Sequence, residues 1–419
     1  ETTTTGKDAL AGIAQLAQAQ GRYDRAREVA EQVVRADGEH RGANLVAAVV
    51  ALQQDRLDDA IRLARTALRR DPTWLPALKV VAEAHYKRGD LDLATGALND
   101  IVALDPSDAQ AAQLLATLMT ERGDYDSALK IWDLVLKSAE RPTEQGRALR
   151  QRAQIAIRQR NWTAAEADIE RLLEIPEGQA VGTLLAGDLM IAQNRIDQAR
   201  EAFERAKVIA PDAPEPVIGV VRTYLARNDV DGAVAYLEAH ATAKPTDPIG
   251  FNMLGELHAR RGDTEAARAA FGQAIALQPQ WPTPRRQLGA FLARAGEQEA
   301  AIAVLREAVA AVPGSPELLN DLGSVLIVSG RAPEAIATYE AMLALQPDSD
   351  LAINNYAALV ADYRYEDKAA LDRAVTLAAR FRASSNALFL DTLGWLYYRR
   401  GDYPVASTYL ERAVSLAGD

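Results

Sequence analysis

Alanine recurs in this chain at a fixed step. Ala26, Ala60, Ala94 and Ala128 are 34 residues apart, and so are Ala165, Ala199, Ala233, Ala267, Ala301 and Ala335; Ala374 and Ala406 continue the series. Such a period is too long for one helix or strand and too short for a domain. It marks one supersecondary unit, repeated about twelve times. Three segments display the unit: "FNMLGELHARRGDTEAARAAFGQAIALQP" from Phe251, "RRQLGAFLARAGEQEAAIAVLREAVAAVP" from Arg285 and "LNDLGSVLIVSGRAPEAIATYEAMLALQP" from Leu319. Each runs Leu-Gly, a second Gly seven residues on, the alanine five after that, and proline twelve beyond.

The apolar spacing within a unit predicts two helices joined by a tight turn such as Gly262-Asp263 or Gly401-Asp402. Gly255, Gly289, Gly323 and Gly394 fall inside the first helix, where glycine costs about 1 kcal/mol against alanine. A cost repeated at one register implies close approach of the paired helix. Pro72, Pro106, Pro211, Pro245, Pro279, Pro313 and Pro347 close the second helix, which proline cannot continue. One hairpin cannot bury its apolar faces alone, so the units must stack.

The period, the small-residue positions and the closing proline together resemble the tetratricopeptide repeat over nearly the whole chain. The resemblance implies an all-α fold: an α-solenoid of about twelve helix-turn-helix units forming a right-handed superhelix. Residues 1–6, "ETTTTG", are expected as a disordered lead-in. Units one to four then cover 7–140, units five to ten 141–349, and units eleven and twelve 350–419. Two breaks set these bounds. The alanine step is 37 between Ala128 and Ala165 and 39 between Ala335 and Ala374. The extra residues, in "KSAERPTEQGR" (137–147) and "ADYRYEDKAALDR" (361–373), are expected as longer loops, the alternative being a bend in the superhelix or a partner contact at each break.

Composition removes several function classes. There is no cysteine, which excludes disulfides, zinc-thiolate sites and thiol catalysis. The net charge of −11 opposes a phosphate-backbone binder, which needs a basic face. No apolar run reaches the roughly 20 residues that span a bilayer. Of the four histidines, His85, His240 and His258 fall on packing stripes, and no His-Glu-x-x-His pair, phosphate-binding loop or nucleophile elbow occurs. The expectation is a protein that is not an enzyme and takes no metal or cofactor.

The informative surface is the face of the first helices, concave in such a solenoid. One register there reads Lys79, Gln113, Arg150, Leu184, Ile218, Asn252, Arg286, Asn320, Asn354 and Asp391. Asn252, Arg286, Asn320 and Asn354 form a polar ladder; amides that donate and accept at once can hold an extended peptide backbone. Leu184 and Ile191, followed by Ile218 and Leu225 one unit on, form an apolar patch with Asp188 and Arg222 between, and contiguous exposed apolar surface marks an interaction site. In "LDTLGWLYYRRGDYPVASTYLERA", Leu390, Leu393, Gly394 and Tyr397 belong to the packing face. Trp395 and Tyr398 do not, and are expected in the groove as a ligand-stacking pair or a terminal apolar cap.

Protein or peptide partners in the concave groove are therefore expected, without nucleic acid or a membrane span, and the solenoid ends offer surfaces for self-association. The last two units, with Asn354-Asn355-Tyr356-Ala357 and Asp391-x-Leu393-Gly394-Trp395, are similar to bacterial envelope scaffolds of the exopolysaccharide-export and PEP-CTERM-associated lipoprotein type. That resemblance implies a periplasmic or outer-membrane-associated scaffold in a Gram-negative bacterium. The start at Glu1 is read as a processed or trimmed product whose targeting segment has been removed. Two alternatives stand beside it. One is a cytoplasmic co-chaperone or adaptor clamping peptide carboxylates with Lys79, Lys87 and Arg150; the other is the regulatory arm of a larger polysaccharide-synthesis or secretion protein.

Overall fold

The computed structural model describes residues 4–417, and these form twenty-four α-helices in twelve hairpins, with two short 3-10 turns and no strand among the described residues. The chain divides into two compact bodies, Glu1–Thr223 and Tyr224–Asp419. The division falls inside the first helix of the seventh unit, Pro214–Leu225. In the first body, buried residues form successive clusters, the largest reaching from Ala48 to Ile155. In the second, one cluster runs from Ala267 to Ala406.

The eighth unit shows how the repeat becomes a hairpin. Its first helix, Pro248–Arg261, starts on proline, where the missing N–H is no loss, and Asp247 caps it by accepting from the Ile249 N–H at 2.9 Å. Gly262 ends that helix in the left-handed region with φ 76°. Asp263 then caps the second helix, Thr264–Leu277, by accepting from the Ala266 N–H at 3.2 Å. Gln278 leaves the helical region ahead of Pro279, the conformation a residue before proline is pushed into.

The left-handed turn residue recurs in eleven of the twelve hairpins. Seven times it is the predicted glycine: Gly21, Gly89, Gly123, Gly262, Gly296, Gly330 and Gly401. In the other four it is Asp55, Arg160, Asn194 or Asn228. Asparagine and aspartate tolerate this conformation, whereas arginine has no local hydrogen-bonding compensation for it. The turn of the eleventh unit, Arg364 to Asp367, has no left-handed residue.

The in-register glycines do mark close approach. A Cβ added at Gly255 would lie 2.7 Å from the Phe271 ring, and one at Gly323 would lie 2.7 Å from Tyr339 Cζ. Phe271 and Tyr339 occupy the second helix four residues after the repeat alanine and are almost wholly buried. Each of these units thus seats one large second-helix side chain against one small first-helix position. Unit four keeps the pairing with a larger residue on each side, having buried Trp132 at the position of Phe271 and Ala116 at that of Gly255.

Three expectations need correction. The lead-in is shorter than 1–6, because the first helix starts at Thr4; residues 1–3 lie outside the described residues. The first break is not a loop: its extra residues lengthen the first helix of unit five, Pro142–Arg158, by a turn. Pro142 at its first position fits helix entry, and Glu144 in the first turn suits the helix dipole. The second break is split between a four-residue turn, 364–367, and an earlier start of the following helix, Lys368–Ala378, capped by Asp367.

Two substitutions test these assignments by thermal or urea unfolding. Gly323→Ala gains about 1 kcal/mol of helix propensity but drives Cβ into Tyr339, an overpacking cost of about 1–3 kcal/mol. A net loss of stability is expected, partly relieved by Tyr339→Leu. Arg160→Gly removes a left-handed L-residue and is expected to stabilise the chain by about 1 kcal/mol, while Gly296→Arg should cost a similar amount.

Candidate functional site

Within each body, first helices such as Leu75–Arg88 and Pro248–Arg261 pack against their own second helix and the second helix of the preceding unit, and several also meet a neighbouring first helix. What remains of their surface opens into clefts between successive first helices. Units three and four frame one of about 360 Å³, bounded by Lys79, Glu83, Tyr86, Lys87 and Leu114. Units five to seven frame another of about 330 Å³ holding Arg150, Leu184, Asp188, Ile218 and Arg222. Units eight and nine frame a third of about 620 Å³ with Glu256, Arg260, Gln287, Ala290 and Arg294. Glu83 and Glu256, and likewise Lys87 and Arg260, hold equivalent repeat positions, so the same side of the repeat unit opens in each body.

The structure brings half of the expected apolar patch together. Leu184 and Ile218 line one cleft, with Ile218 at 36% exposure and Arg222 donating to Asp188 at 2.6 Å beside them. Ile191 is half-buried and outside that cleft. Leu225 is half-buried as well and belongs to the second body.

The polar ladder is less open than expected. Asn252 is buried at 5% exposure, and its Nδ2 donates to Glu256 Oε1 at 3.2 Å. Glu256 also accepts from Gln287 of the next unit, so two long side chains roof the asparagine. Arg286 is paired with Asp321. Asn320 and Asn354 are half-buried, and Asn354 Nδ2 reaches Asn355 Oδ1 only at 3.5 Å. The Oδ1 atoms of Asn252, Asn320 and Asn354 are all buried without a hydrogen-bond partner. A series of amides free in solvent is therefore not what the fold presents; burial follows from the length of the neighbouring side chains.

Trp395 and Tyr398 are also committed within the chain. Their rings stack in parallel at 4.9 Å, the Arg399 guanidinium lies 4.6 Å from the Trp395 centroid, and Trp395 Nε1 donates to Asp362 at 2.7 Å. Arg399 also covers Tyr365 at 4.2 Å, and Tyr403 tilts against Tyr398 at 5.5 Å. This favours the terminal-cap alternative over a ligand-stacking pair.

The carboxylate clamp fares similarly. Lys79 pairs with Asp108 at 2.6 Å and Lys87 with Glu83 at 3.2 Å, which leaves Arg150 as the unpaired cation of the three. Burial opposes ionisation of Asp108 more than any other single cause. The Lys79 ammonium and the Ala111 N–H nevertheless hold its carboxyl below the usual range. His85 and His240 are buried and bonded to Asp90 at 3.1 Å and Asp247 at 2.8 Å, and His258 is buried near Asp263. Half-buried His40 caps the helix Arg41–Gln53 through Nδ1. Among the described residues no three His, Asp or Glu side chains form a metal-binding group, and no helix is long and apolar enough to cross a membrane.

The stacked helical hairpins define an α-solenoid. Sequence models of the tetratricopeptide repeat match residues 12–73, 115–180, 150–214 and 252–316; a second model of that repeat matches 51–118, 190–257 and 292–363, and a third 387–417. The chain belongs to the tetratricopeptide repeat family. Among solved structures it is similar to yeast Tom70, at 16% identity and TM-score 0.41 over 99% of this chain and 92% of that one. It is also similar to TTC0263, a thermophilic tetratricopeptide protein of Thermus thermophilus, at 26% identity and TM-score 0.32 over 43% and 98%. A third is MamA, at 18% identity and TM-score 0.31 over 47% and 94%. No curated protein matches the chain.

One buried carboxylate lies apart from the clefts. Asp168 is 3% exposed, with Arg152 Nε 3.3 Å away; Arg152 also reaches Asp133 at 2.9 Å. Burial pushes the Asp168 carboxyl above its usual value, more than Arg152 and Arg171 pull it down. The folded chain therefore binds this proton more tightly than the unfolded one, and stability falls as pH rises through the two values. Asp168→Asn is expected to raise the melting temperature at pH 7. The advantage should fade below about pH 4, the unfolded aspartate value, in a melting series across pH.

Proposed function

We propose that this chain is a non-enzymatic scaffold that binds partner proteins along its first-helix face, expected above to be the concave one. The observation that carries this reading is the recurrence of clefts between successive first helices at equivalent repeat positions. Tyr86 and Ile218 remain partly exposed within these clefts, beside charged neighbours such as Lys87 and Arg222. Exposed apolar side chains gathered in concave sites rimmed by charge suit protein recognition. The pairing of Lys79 and Lys87 with acidic neighbours argues against the terminal-carboxylate clamp of a co-chaperone.

The finer reading is a Gram-negative envelope scaffold, periplasmic or outer-membrane-associated, that holds exopolysaccharide-export components together. Its support is the likeness of the last two units, through Asn354-Asn355-Tyr356-Ala357 and Asp391-x-Leu393-Gly394-Trp395, to scaffolds of that kind. Fractionation of the native host tests it: recovery from the cytoplasm overturns the envelope reading.

The binding reading is tested by pull-down from the native host. A chain carrying Leu114→Asp, Ile218→Asp and Ala290→Glu, one charge in each cleft, should keep its helical circular dichroism and lose its partners. Val208→Asp, on an 82%-exposed second-helix position, should keep them. Equal partner recovery by the triple variant would refute the proposal.

A further inference from the structure

The first break in the 34-residue period does more than lengthen a helix. The added turn at the start of Pro142–Arg158 forms one wall of an additional cleft of about 370 Å³. Its opposite wall is the 3-10 turn Pro176–Gly178 with the end of the preceding helix. Leu172, Ile175 and Val181 give it an apolar lining, and Gly146, Arg147 and Arg150 border it from the lengthened helix. This cleft adjoins the one that holds Leu184 and Ile218: Arg150 and Val181 line both.

Two features of this double cleft point to its occupant. The first is Gly146, the fifth residue of a 17-residue helix. Unlike Gly255 or Gly323, it has no close contact that demands a glycine, since an added Cβ would meet Leu172 Cδ1 at 3.5 Å and Ile175 Cδ1 at 3.9 Å, ordinary van der Waals distances. Any longer side chain there would enter the cleft, so the glycine keeps it open at a cost of about 1 kcal/mol in helix propensity. The second feature is charge. Arg147 donates to the neutral amide of Gln113 at 2.7 Å and keeps its charge, whereas Arg222 is matched by Asp188. Arg150 is exposed, its side chain has no hydrogen bond or ion pair among the described residues, and it stands where the two clefts join. The remaining charges, Glu177 and Glu215, are exposed and border one cleft each. The site thus carries the cations Arg147 and Arg150, apolar side chains in both clefts, and an exposed glutamate on the border of each.

We propose that this double cleft is a sequence-selective peptide site. Its ligand is an extended segment with a carboxylate side chain between two apolar side chains and basic residues flanking them. The apolar side chains enter the two clefts, the carboxylate meets Arg150 in a charge-assisted pair, and the flanks face Glu177 and Glu215. This deepens the scaffold reading above and rests on it, since it assigns one recognition element to the same face.

Fluorescence anisotropy with labelled peptides tests it. The probes are N-acetylated, C-amidated Lys-Leu-Asp-Leu-Lys-type peptides, with Asn or Lys replacing the central Asp and with Glu flanks as a further variant. The unsubstituted chain should bind the Asp peptide about tenfold tighter than the Lys peptide, and Arg150→Glu should reverse that order. Gly146→Met should weaken the Asp peptide about tenfold while its melting temperature stays level or rises, which separates a filled cleft from a damaged fold. Equal affinity for the Asp and Lys peptides, undiminished binding by Gly146→Met, or binding only of peptides with a free terminal carboxylate would each overturn the inference. So would the absence of binding. A pull-down with Leu114→Asp and Ala290→Glu alone, both outside the double cleft, reads the scaffold function separately, so partner loss there alongside peptide failure here leaves the scaffold and removes this site.

Discussion

Everything in this chain depends on one contact made again and again: a small residue of a first helix against a large residue of its second helix. Gly255 with Phe271, Gly289 with Leu305, Gly323 with Tyr339 and Gly394 with Leu410 are the same contact in four units. A Cβ on the small side would fall well inside van der Waals distance, so the two helices meet at a fixed separation. That separation sets where the next hairpin stacks, and the stability of such an array is a sum of local terms and neighbour terms. The left-handed turn residue supports the contact by bringing the second helix back at the right angle.

This economy of packing leaves part of each first helix without a structural duty. The packing stripe uses the small position and its helical neighbours, and the turn and caps satisfy the backbone at the ends. The remaining side chains can vary without disturbing the hairpin, and here they vary from unit to unit. Glu256 and Gln287 close over Asn252, Asp108 and Glu83 neutralise two lysines, and Leu184 and Ile218 stay open. The surface chemistry of the first helices thus differs from unit to unit on a repeated frame.

That division explains what the sequence made legible. The period, the hairpins and the close approach at Gly255 or Gly323 were readable because each unit faces the same steric demand. Arg160 was not readable as a left-handed residue, since nothing local to arginine favours that conformation and only its place in the register reveals it. The burial of Asn252 depends on how far Glu256 and Gln287 reach, which spacing alone does not encode. For Trp395, spacing alone did not reveal that its ring would stack with Tyr398 and Arg399 and that its N–H would go to Asp362.

The break near residue 140 shows how a repeat acquires a feature without losing its frame. Three added residues do not shift the packing register of unit five, because they are absorbed ahead of it: Ala148, Leu149 and Ala153 remain buried. Their effect falls on the surface, where the extra turn extends past the stacked helices and encloses space against Pro176–Gly178. An insertion inside the stripe would have moved apolar residues to the solvent side. Placed before it, the insertion adds a wall to the first-helix face at the cost of one glycine's helix propensity, and the hairpins on either side keep their contact.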